Sequence, residues 1–353
     1  MSPDSTAAAD ASSEPPPAPS PGALAGAAPR PPDDADPGRA IGDDGLLAPA
    51  LIAAAVARVG AVLPATPLVR SERLGAWLKL ESLQTTGAFK VRGAFNALAA
   101  RAARGDRRPV VAASAGNHGL GVAWSARRLG LAATIVVPDS APEVKVAGCR
   151  ALGARVVRAG DGFESCAARA RAIAAAEGAC FLHAFDDAEV VAGQATVAAE
   201  LLALRPDVVV VPVGGGGLIA GMGSLLARAG IRVVGAQVAG LDSLRRALAR
   251  GGDTPTPSPA RATLADGLRV TAPGRLPLRI AAAAVEEIVV VSEVEVEAAM
   301  AALAFGERII VEGAGAVAVA ALARVTGERR VAVVSGGNVD GAVLARVLAA
   351  AGA

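Results

Sequence analysis

Aromatic residues and cysteines are scarce in this chain. Of its 353 residues, two are tryptophan, six are phenylalanine and none is tyrosine. Binding to nucleic acid calls for a basic stripe or aromatic stacking platforms, and the net charge here is only +2, so we expect no nucleic-acid partner. The three cysteines, Cys149, Cys166 and Cys180, lack metal-ligand spacing. We therefore expect no metal site, and unreactive thiols in a reducing compartment.

Long hydrophobic runs are also missing. No stretch approaches the roughly 18 apolar residues of a membrane-spanning helix, so we expect no membrane partner. The first ten residues contain Asp4 and Asp10 and no basic residue, which differs from a secretory signal. Together these features predict a cytoplasmic protein.

Lysine and asparagine are both scarce in this chain. Among 35 basic residues only Lys79, Lys90 and Lys145 are lysines. An arginine can replace lysine as a surface charge but not as an imine-forming amine, because the guanidinium stays protonated. The asparagines are Asn96, Asn117 and Asn338. Scarce residues that lie within glycine-rich motifs are therefore the first candidates for a functional site.

Two kinds of sequence follow each other along the chain. Residues 1–48 are rich in proline, alanine and aspartate, a composition typical of a disordered tail. Short apolar segments then alternate with alanine-rich segments, which predicts an α/β fold with buried parallel strands. The predicted strands are residues 77–80, 110–113, 133–137, 155–157, 208–213, 232–237 and 331–334. Clear helix predictions are residues 119–129, 162–177 and 193–204.

A run of four glycines lies at a predicted strand-to-helix junction. The strand 208–213 is followed by Gly214, Gly215, Gly216 and Gly217, and a helix is predicted from Leu218. Successive backbone amides without side chains can converge on a phosphate at a helix N-terminus. The run matches neither the dinucleotide fingerprint nor the P-loop. It predicts a phosphate site, and a flexible connector is the alternative.

Three further segments carry polar residues where a strand ends or a helix starts. Alone, each is compatible with an ordinary helix cap or a surface charge. The segment at residues 114–119 could hold an anion such as a carboxylate on its amides, and the segment at residues 84–94 places a rare lysine at a helix start. The segments are Ser114-Ala115-Gly116-Asn117-His118-Gly119, Ser335-Gly336-Gly337-Asn338, and residues 84–94 with Phe89 and Lys90.

In combination and order, these motifs resemble the fold-type II pyridoxal-phosphate enzymes, and among them most closely the threonine/serine dehydratases and serine racemases. The resemblance covers essentially everything from residue 50 onward. It rests on Thr66-Pro67-Leu68, residues 86–94, Ser114-Ala115-Gly116-Asn117-His118, Gly193-Gln194, Gly214 to Gly217 and Ser335-Gly336-Gly337-Asn338.

The resemblance implies a role for each matching residue. Lys90 would hold the cofactor covalently and, when released, remove the substrate's α-proton. Phe89 would lie beside the cofactor ring, Asn117 would bind its phenolic oxygen and Ser335 its pyridine nitrogen. The phosphate would be held by the amides of Gly214, Gly215, Gly216, Gly217 and Leu218. The substrate carboxylate would be received by Ser114, Ala115, Gly116, Asn117 and His118.

The resemblance also implies an architecture and a reaction. Two open twisted α/β domains, like those of the tryptophan synthase β-subunit, would enclose the cofactor. The large domain would comprise residues 49–108 and 187–353, and the small mobile domain residues 109–186. The expected reaction is dehydration and deamination of L-threonine, and also of L-serine, to a keto acid and ammonium. A homodimer or homotetramer is expected.

Other functions remain open at this point. Racemases of the family carry serine at the position of Ala115, and alanine has no proton to give, so racemisation should be poor. Gln237 and Ser243 stand where some relatives have the carboxylates of a divalent-cation site, and a hard cation needs several oxygen ligands. The alternatives are a dehydratase of another 3-hydroxy amino acid, a serine racemase, and a non-catalytic binding or sensor protein on the same scaffold.

Overall fold

A computed structural model describes residues 40–352, except Ala115, Pro142, Asp253, Thr256 and residues 258–261. Ten strands lie in its two sheets. The strands are β1 (Leu68–Ser71), β2 (Ala76–Leu80), β3 (Val110–Ala113), β4 (Ala133–Val137), β5 (Arg155–Arg158), β6 (Cys180–Phe181), β7 (Val208–Pro212), β8 (Arg232–Val238), β9 (Glu287–Val291) and β10 (Arg330–Val334).

Helices connect these strands. They are α1 (Pro49–Gly60), α2 (Lys90–Ala103), α3 (Asn117–Leu129), α4 (Glu143–Ala151), α5 (Phe163–Ala176), α6 (Ala188–Ala199), α7 (Gly217–Arg228), α8 (Ser243–Ala249), α9 (Arg275–Ala284), α10 (Glu293–Ala301), α11 (Gly313–Ala321) and α12 (Gly341–Gly352). None of the described helices is both long and apolar enough to cross a membrane.

Both sheets are almost entirely parallel. The six-stranded sheet has the order β1-β2-β10-β7-β8-β9, and the four-stranded sheet has the order β5-β4-β3-β6. Only the edge pair β1–β2 is antiparallel. Successive residues of β7 point to opposite faces of the sheet. Val208 and Val210 pack in the core that contains α11. Val209 and Val211 pack in the core that contains α7. Burial on both faces explains the continuous valine runs, and the α/β prediction is confirmed.

The seven predicted strands are present, with bounds that differ by at most one residue. Three short strands, β1, β6 and β9, were not predicted. The helix predicted at residues 193–204 is wrong in its bounds, because α6 begins at Ala188 and ends at Ala199. It starts early because the Asp187 side chain accepts a hydrogen bond of 2.8 Å from the Val190 amide, which caps the helix.

The predicted tail is too long at its C-terminal end. Within residues 40–48, Ala40, Leu46 and Leu47 are buried in a core cluster. The Leu47 amide donates to the Ser224 hydroxyl at 3.0 Å, and the Asp44 carboxylate pairs with Arg228 at 2.8 Å. The prediction of a disordered tail is therefore wrong for residues 40–48, and residues 1–39 lie outside the described part of the chain.

A buried ion network fixes the start of α2. The Arg92 guanidinium makes two hydrogen bonds to the Glu81 carboxylate, at 2.7 and 2.8 Å, and also pairs with Glu200 at 2.6 Å. Lys79 completes the network by pairing with Glu200. Arg92 and Glu81 are almost fully shielded from water, and their charges compensate each other. Because Arg92 is two residues from Lys90, the network anchors the helix turn that carries that lysine.

Candidate active site

A cavity of about 370 Å³ lies where parallel strands of both sheets end. Its wall contains Ala113 at the end of β3, Pro212 at the end of β7 and Ser335 directly after β10. Ligands in open α/β folds bind at the carboxyl ends of strands. The lysine, the glycine run and both polar loops that the sequence singled out reach this one cavity.

Lys90 is the first residue of α2, and its amine lies in the cavity wall. The Nζ atom donates a 3.1 Å hydrogen bond to the Ala184 carbonyl and lies 5.2 Å from the centre of the Phe89 ring. Burial lowers the pKa of Lys90 to about 8, although the nearby Glu312 carboxylate acts in the opposite direction. A lowered pKa supplies more of the neutral, nucleophilic amine near neutral pH.

The glycine run forms a turn into the N-terminus of α7. Among the described residues, the amides of Gly215, Gly216, Gly217 and Leu218 have no hydrogen-bond acceptor. Gly216 adopts a positive φ of 91°. A Cβ at Gly215 would lie 2.5 Å from the Phe185 ring. The loop thus combines free amides, the positive end of a helix dipole and a backbone that only glycine fits, which suits an anion.

Neighbouring elements hold the glycine run from behind. The Gly215 carbonyl accepts a hydrogen bond of 3.0 Å from the Gly274 amide, at the start of α9. The Asp186 carboxylate caps α9 by accepting from the amides of Arg275 and Leu276, at 3.1 and 2.9 Å. Sequence reasoning missed this support, because the acceptor and the helix it caps are about 90 residues apart.

Asn117 links the Glu312 carboxylate to the Asn338 side-chain amide beside the cavity. Its amide nitrogen donates to the Glu312 carboxylate at 2.6 Å, and its oxygen accepts from Asn338 at 2.7 Å. Glu312 is only 4 % exposed. Burial, and secondarily the negative charge of Asp266, raises the pKa of Glu312 to about 7. Glu312 itself lines the cavity wall.

The loop around Asn117 behaves as a helix start. The Ser114 hydroxyl accepts a 3.1 Å hydrogen bond from the Gly116 amide. His118 is buried, and burial and the charge of Lys90 lower its pKa to about 3, so its ring is neutral at physiological pH. An anion here would therefore meet backbone amides and not an imidazolium. Ala115, which was assigned to the same loop, lies outside the described residues.

Ser335 and Phe89 are far apart in the sequence but meet at the cavity wall. Ser335 is buried, and its hydroxyl donates to the Ala314 carbonyl at 3.3 Å. Its own carbonyl accepts from the Phe89 amide at 3.1 Å, which ties the loop after β10 to the residue before Lys90. This bond places a neutral hydroxyl, rather than a carboxylate, in the cavity wall beside Phe89 and Lys90.

A salt bridge spans the cavity wall. The Lys145 ammonium, on α4, pairs at 2.7 Å with the Asp266 carboxylate, in the segment after β8. Both residues line the cavity. The helix of Lys145 follows β4 of the four-stranded sheet, whereas the segment of Asp266 follows β8 of the six-stranded sheet. In the sequence, Lys145 was notable only as one of three lysines, and no local motif indicated that Asp266 is its partner.

At the possible cation position, Gln237 and the neighbouring Asp242 have other partners. Gln237 donates to the Leu241 carbonyl at 3.2 Å and accepts from the Arg245 amide at 3.0 Å. The Asp242 carboxylate pairs with Arg245 and Arg246. In the described part of the chain, no group of three or more histidine, cysteine or acidic side chains is arranged to hold a metal ion.

Comparison with known proteins identifies the family of this chain. The model of the pyridoxal-phosphate dependent enzymes matches residues 62–337. The chain belongs to this family. Every lining residue discussed above falls within the matched segment.

Similar proteins include enzymes of two reaction types. The L-threonine ammonia-lyase of Thermotoga maritima is 41 % identical over 279 residues, which are 77 % of this chain and 69 % of that protein. The processed form of threonine deaminase isoform 2 from Solanum lycopersicum superposes with a TM-score of 0.79 at 30 % identity, covering 86 % of this chain and 93 % of that one. Maize serine racemase superposes with a TM-score of 0.78 at 29 % identity, covering 86 % and 97 %.

The side chains present fit the family's cofactor. Pyridoxal phosphate carries a phosphate, an aldehyde and an aromatic ring. The cavity offers free amides at a helix N-terminus for the anion, the Lys90 amine for the aldehyde and the Phe89 ring as an apolar neighbour. A Cβ at Gly214 would come within 3.1 Å of Leu268 and one at Gly217 within 2.9 Å of Phe185, so the backbone packs too tightly here for side chains.

Proposed function

We propose that this enzyme is an L-threonine ammonia-lyase, which converts L-threonine to 2-oxobutanoate and ammonium and accepts L-serine as a second substrate. The observation that carries the proposal is the presence, in one cavity, of the Lys90 amine with its lowered pKa and of the glycine run at a helix N-terminus. The name and 41 % identity of the Thermotoga maritima relative support the choice of substrate.

Five groups would hold the cofactor in this proposal. Lys90 would bind it covalently, and the amides of the glycine run and Leu218 would bind its phosphate. Asn117 would donate to the phenolic oxygen, Ser335 would meet the pyridine nitrogen, and Phe89 would lie beside the ring. When bound, the cofactor withdraws electrons from the substrate's α-carbon. A neutral Ser335 makes that withdrawal modest, which suffices for elimination, because the departing hydroxyl relieves the negative charge.

The chain's own groups would then place and deprotonate the substrate. The amides at the start of α3, around Ser114, Ala115, Gly116, Asn117 and His118, would receive the substrate carboxylate, as helix N-termini do. The Lys90 Nζ atom, once released from the cofactor, would take the α-proton; its lowered pKa suits a base that works near neutral pH. Loss of water followed by hydrolysis with loss of ammonium leaves the keto acid.

Closure of the cavity is part of the proposal. Residues 109–186 would form a small domain that moves against a large domain of residues 49–108 and 187–353. The Lys145–Asp266 salt bridge supports this, because it joins an element of each domain at the cavity wall. Closing would exclude water while the α-carbon is negatively charged.

Location and assembly are also part of the proposal. We place it in the cytoplasm, where its three cysteines stay reduced; all three thiols are buried. We also propose a homodimer or homotetramer, as the resemblance to the dehydratases implies. Light scattering of the purified protein measures the assembly directly.

The decisive assay measures keto acid and ammonium from a panel of hydroxy amino acids. Wild-type enzyme should form both products in equal amounts from L-threonine, and Lys90→Ala should form neither. A preference for another 3-hydroxy amino acid would replace the substrate but keep the reaction class. D-Serine formation from L-serine as fast as elimination would favour a racemase, and a wild-type chain that binds amino acids without turnover would favour a sensor.

A further inference from the structure

Asn338 is a rare asparagine to which the proposed reaction assigns no task. Its side-chain nitrogen donates to two oxygens, the Thr86 carbonyl at 2.9 Å and the Asn117 amide oxygen at 2.7 Å. Asn117 in turn donates to the Glu312 carboxylate at 2.6 Å. A continuous hydrogen-bond chain therefore runs from the loop before Lys90, through two side-chain amides, to a buried acid.

The direction of this chain is set at one end. A backbone carbonyl can only accept, so the atom of Asn338 that faces Thr86 must be its nitrogen. The same nitrogen faces Asn117, so Asn117 must turn its oxygen toward Asn338. The other end of the Asn117 amide, its nitrogen, then faces the Glu312 carboxylate, which accepts. Each amide orientation follows from chemistry, and none has to be chosen arbitrarily.

One hydrogen of the Asn117 amide has no partner in the described part of the chain. The amide nitrogen carries two hydrogens, and the structure gives it one acceptor, Glu312. Asn117 lies in the cavity wall. A donor is the end of an amide that binds an anionic oxygen, whereas the carbonyl end would repel it.

We propose that Asn338 and Glu312 are positioning residues, which hold the Asn117 amide with its N–H, and not its carbonyl, available to the cofactor's phenolic oxygen. The inference rests on the proposed function, since it needs pyridoxal phosphate in this cavity. It adds what that function leaves open: why the amide of Asn117 keeps one of its two orientations.

Two glycines pack against the ends of this hydrogen-bond chain. Gly87 has a positive φ of 73°, and a Cβ there would overlap the Asn338 side chain. A Cβ at Gly336 would overlap the Glu312 carboxylate. The Gly337 amide donates to the Gly87 carbonyl at 2.8 Å, so the two loops stay in register. Both ends of the hydrogen-bond chain therefore lie directly against glycine backbone, where a larger residue would collide with them.

The test compares two replacements of Asn338 by the dissociation constant of pyridoxal phosphate and the position of its long-wavelength absorption band. Asn338→Ala removes the restraint, and we expect about tenfold weaker binding, the scale of one hydrogen bond to an anion. Asn338→Asp keeps the shape but only accepts, so it turns the Asn117 nitrogen away from the cofactor. We expect weaker binding than in Asn338→Ala and a shifted band. A space-filling role predicts the opposite order.

A double-mutant cycle gives a second, independent readout. In an Asn117→Ala background, Asn338→Ala should change cofactor affinity less than twofold, because nothing remains to be oriented. Asn96→Ala is the control: this buried asparagine bonds to Glu189, outside the cavity wall, and its loss should lower the melting temperature without moving the band. Should Asn338→Asp fail to fold, the cycle still decides.

The outcomes separate the inference from the function on which it rests. If wild-type protein binds no pyridoxal phosphate, the proposed function fails, and the inference fails with it. If wild-type protein binds the cofactor and deaminates L-threonine, but Asn338→Asp binds at least as tightly as Asn338→Ala, only the inference is overturned. An undiminished effect of Asn338→Ala in the Asn117→Ala background would overturn it as well.

Discussion

Replacement of Gly216 by alanine should weaken cofactor binding much more than it destabilises the fold. Gly216 has a φ of 91°, a conformation that costs a residue with a Cβ about 1–2 kcal/mol. The new Cβ would also lie 2.9 Å from the Pro277 Cβ, so the loop must shift to accommodate it. Such a shift misdirects the neighbouring amides. Losing one charge-assisted hydrogen bond to phosphate costs roughly 1.5–3 kcal/mol, or about tenfold to 150-fold in the dissociation constant.

Gly230 provides a matched control for the backbone effect. It also has a positive φ, of 70°, but a Cβ there would meet no heavy atom within 4 Å, and it lies in the turn after α7, outside the cavity wall. Gly230→Ala should therefore show similar backbone strain, a few degrees in the melting temperature of the cofactor-free protein, with unchanged cofactor affinity. The assay is titration of cofactor-free protein with pyridoxal phosphate, followed by absorbance, beside thermal melts. Equal cofactor affinities for the two variants would show that the glycine run is only a connector.

Three further perturbations test the fold and the buried acid. Arg92→Leu leaves the Glu81 carboxylate buried without its main partner. The substitution should lower the free energy of unfolding by about 3–5 kcal/mol in urea titrations. A loss below about 1 kcal/mol would contradict the network's role. Deleting residues 1–39 should leave the catalytic rate within about twofold, because every proposed site residue lies later in the sequence. Extending the deletion to residue 48 removes the buried Leu46 and Leu47 and should cost about 3 kcal/mol or more. Burial raises the pKa of Glu312 from 4.5 to about 7, so its contribution to the stability of cofactor-free protein is full below pH 4.5 and is lost as the pH rises to 7. Glu312→Gln should remove that part of the pH dependence, on the order of 3 kcal/mol between pH 4.5 and 8, and parallel wild-type and variant profiles would refute the assignment.

Local signals were sufficient for most of the sheet and for the cavity's main groups. The valine runs of β7 and β10 are buried on both faces, and such strands are recognisable from composition alone. Lys90 and the glycine run stood out because lysine is rare here and four consecutive glycines have few structural uses. The strand β1 was missed because two of its four residues are exposed and it contains no apolar run.

Other features depend on contacts between distant parts of the chain. Leu47 packs beside Ser224, 177 residues away, so no local composition could distinguish residues 40–48 from the segment before them. The bond between Asn117 and Glu312 joins residues 195 positions apart. The early start of α6 is different, because Asp187 is an ordinary N-cap residue and its position three residues before Val190 was visible in the sequence.

The central claim, that Lys90 carries the cofactor, can be tested by locating the bound pyridoxal phosphate. The chain has only three lysines, which makes the assignment unambiguous. Purified protein loaded with the cofactor is reduced with borohydride, digested, and mapped by mass spectrometry. We predict that the phosphopyridoxyl mass lies on the peptide containing Lys90, at near-stoichiometric yield, and is missing from Lys90→Ala. Labelling of Lys79 or Lys145 at comparable yield, or an unlabelled Lys90 in catalytically active protein, would contradict the account.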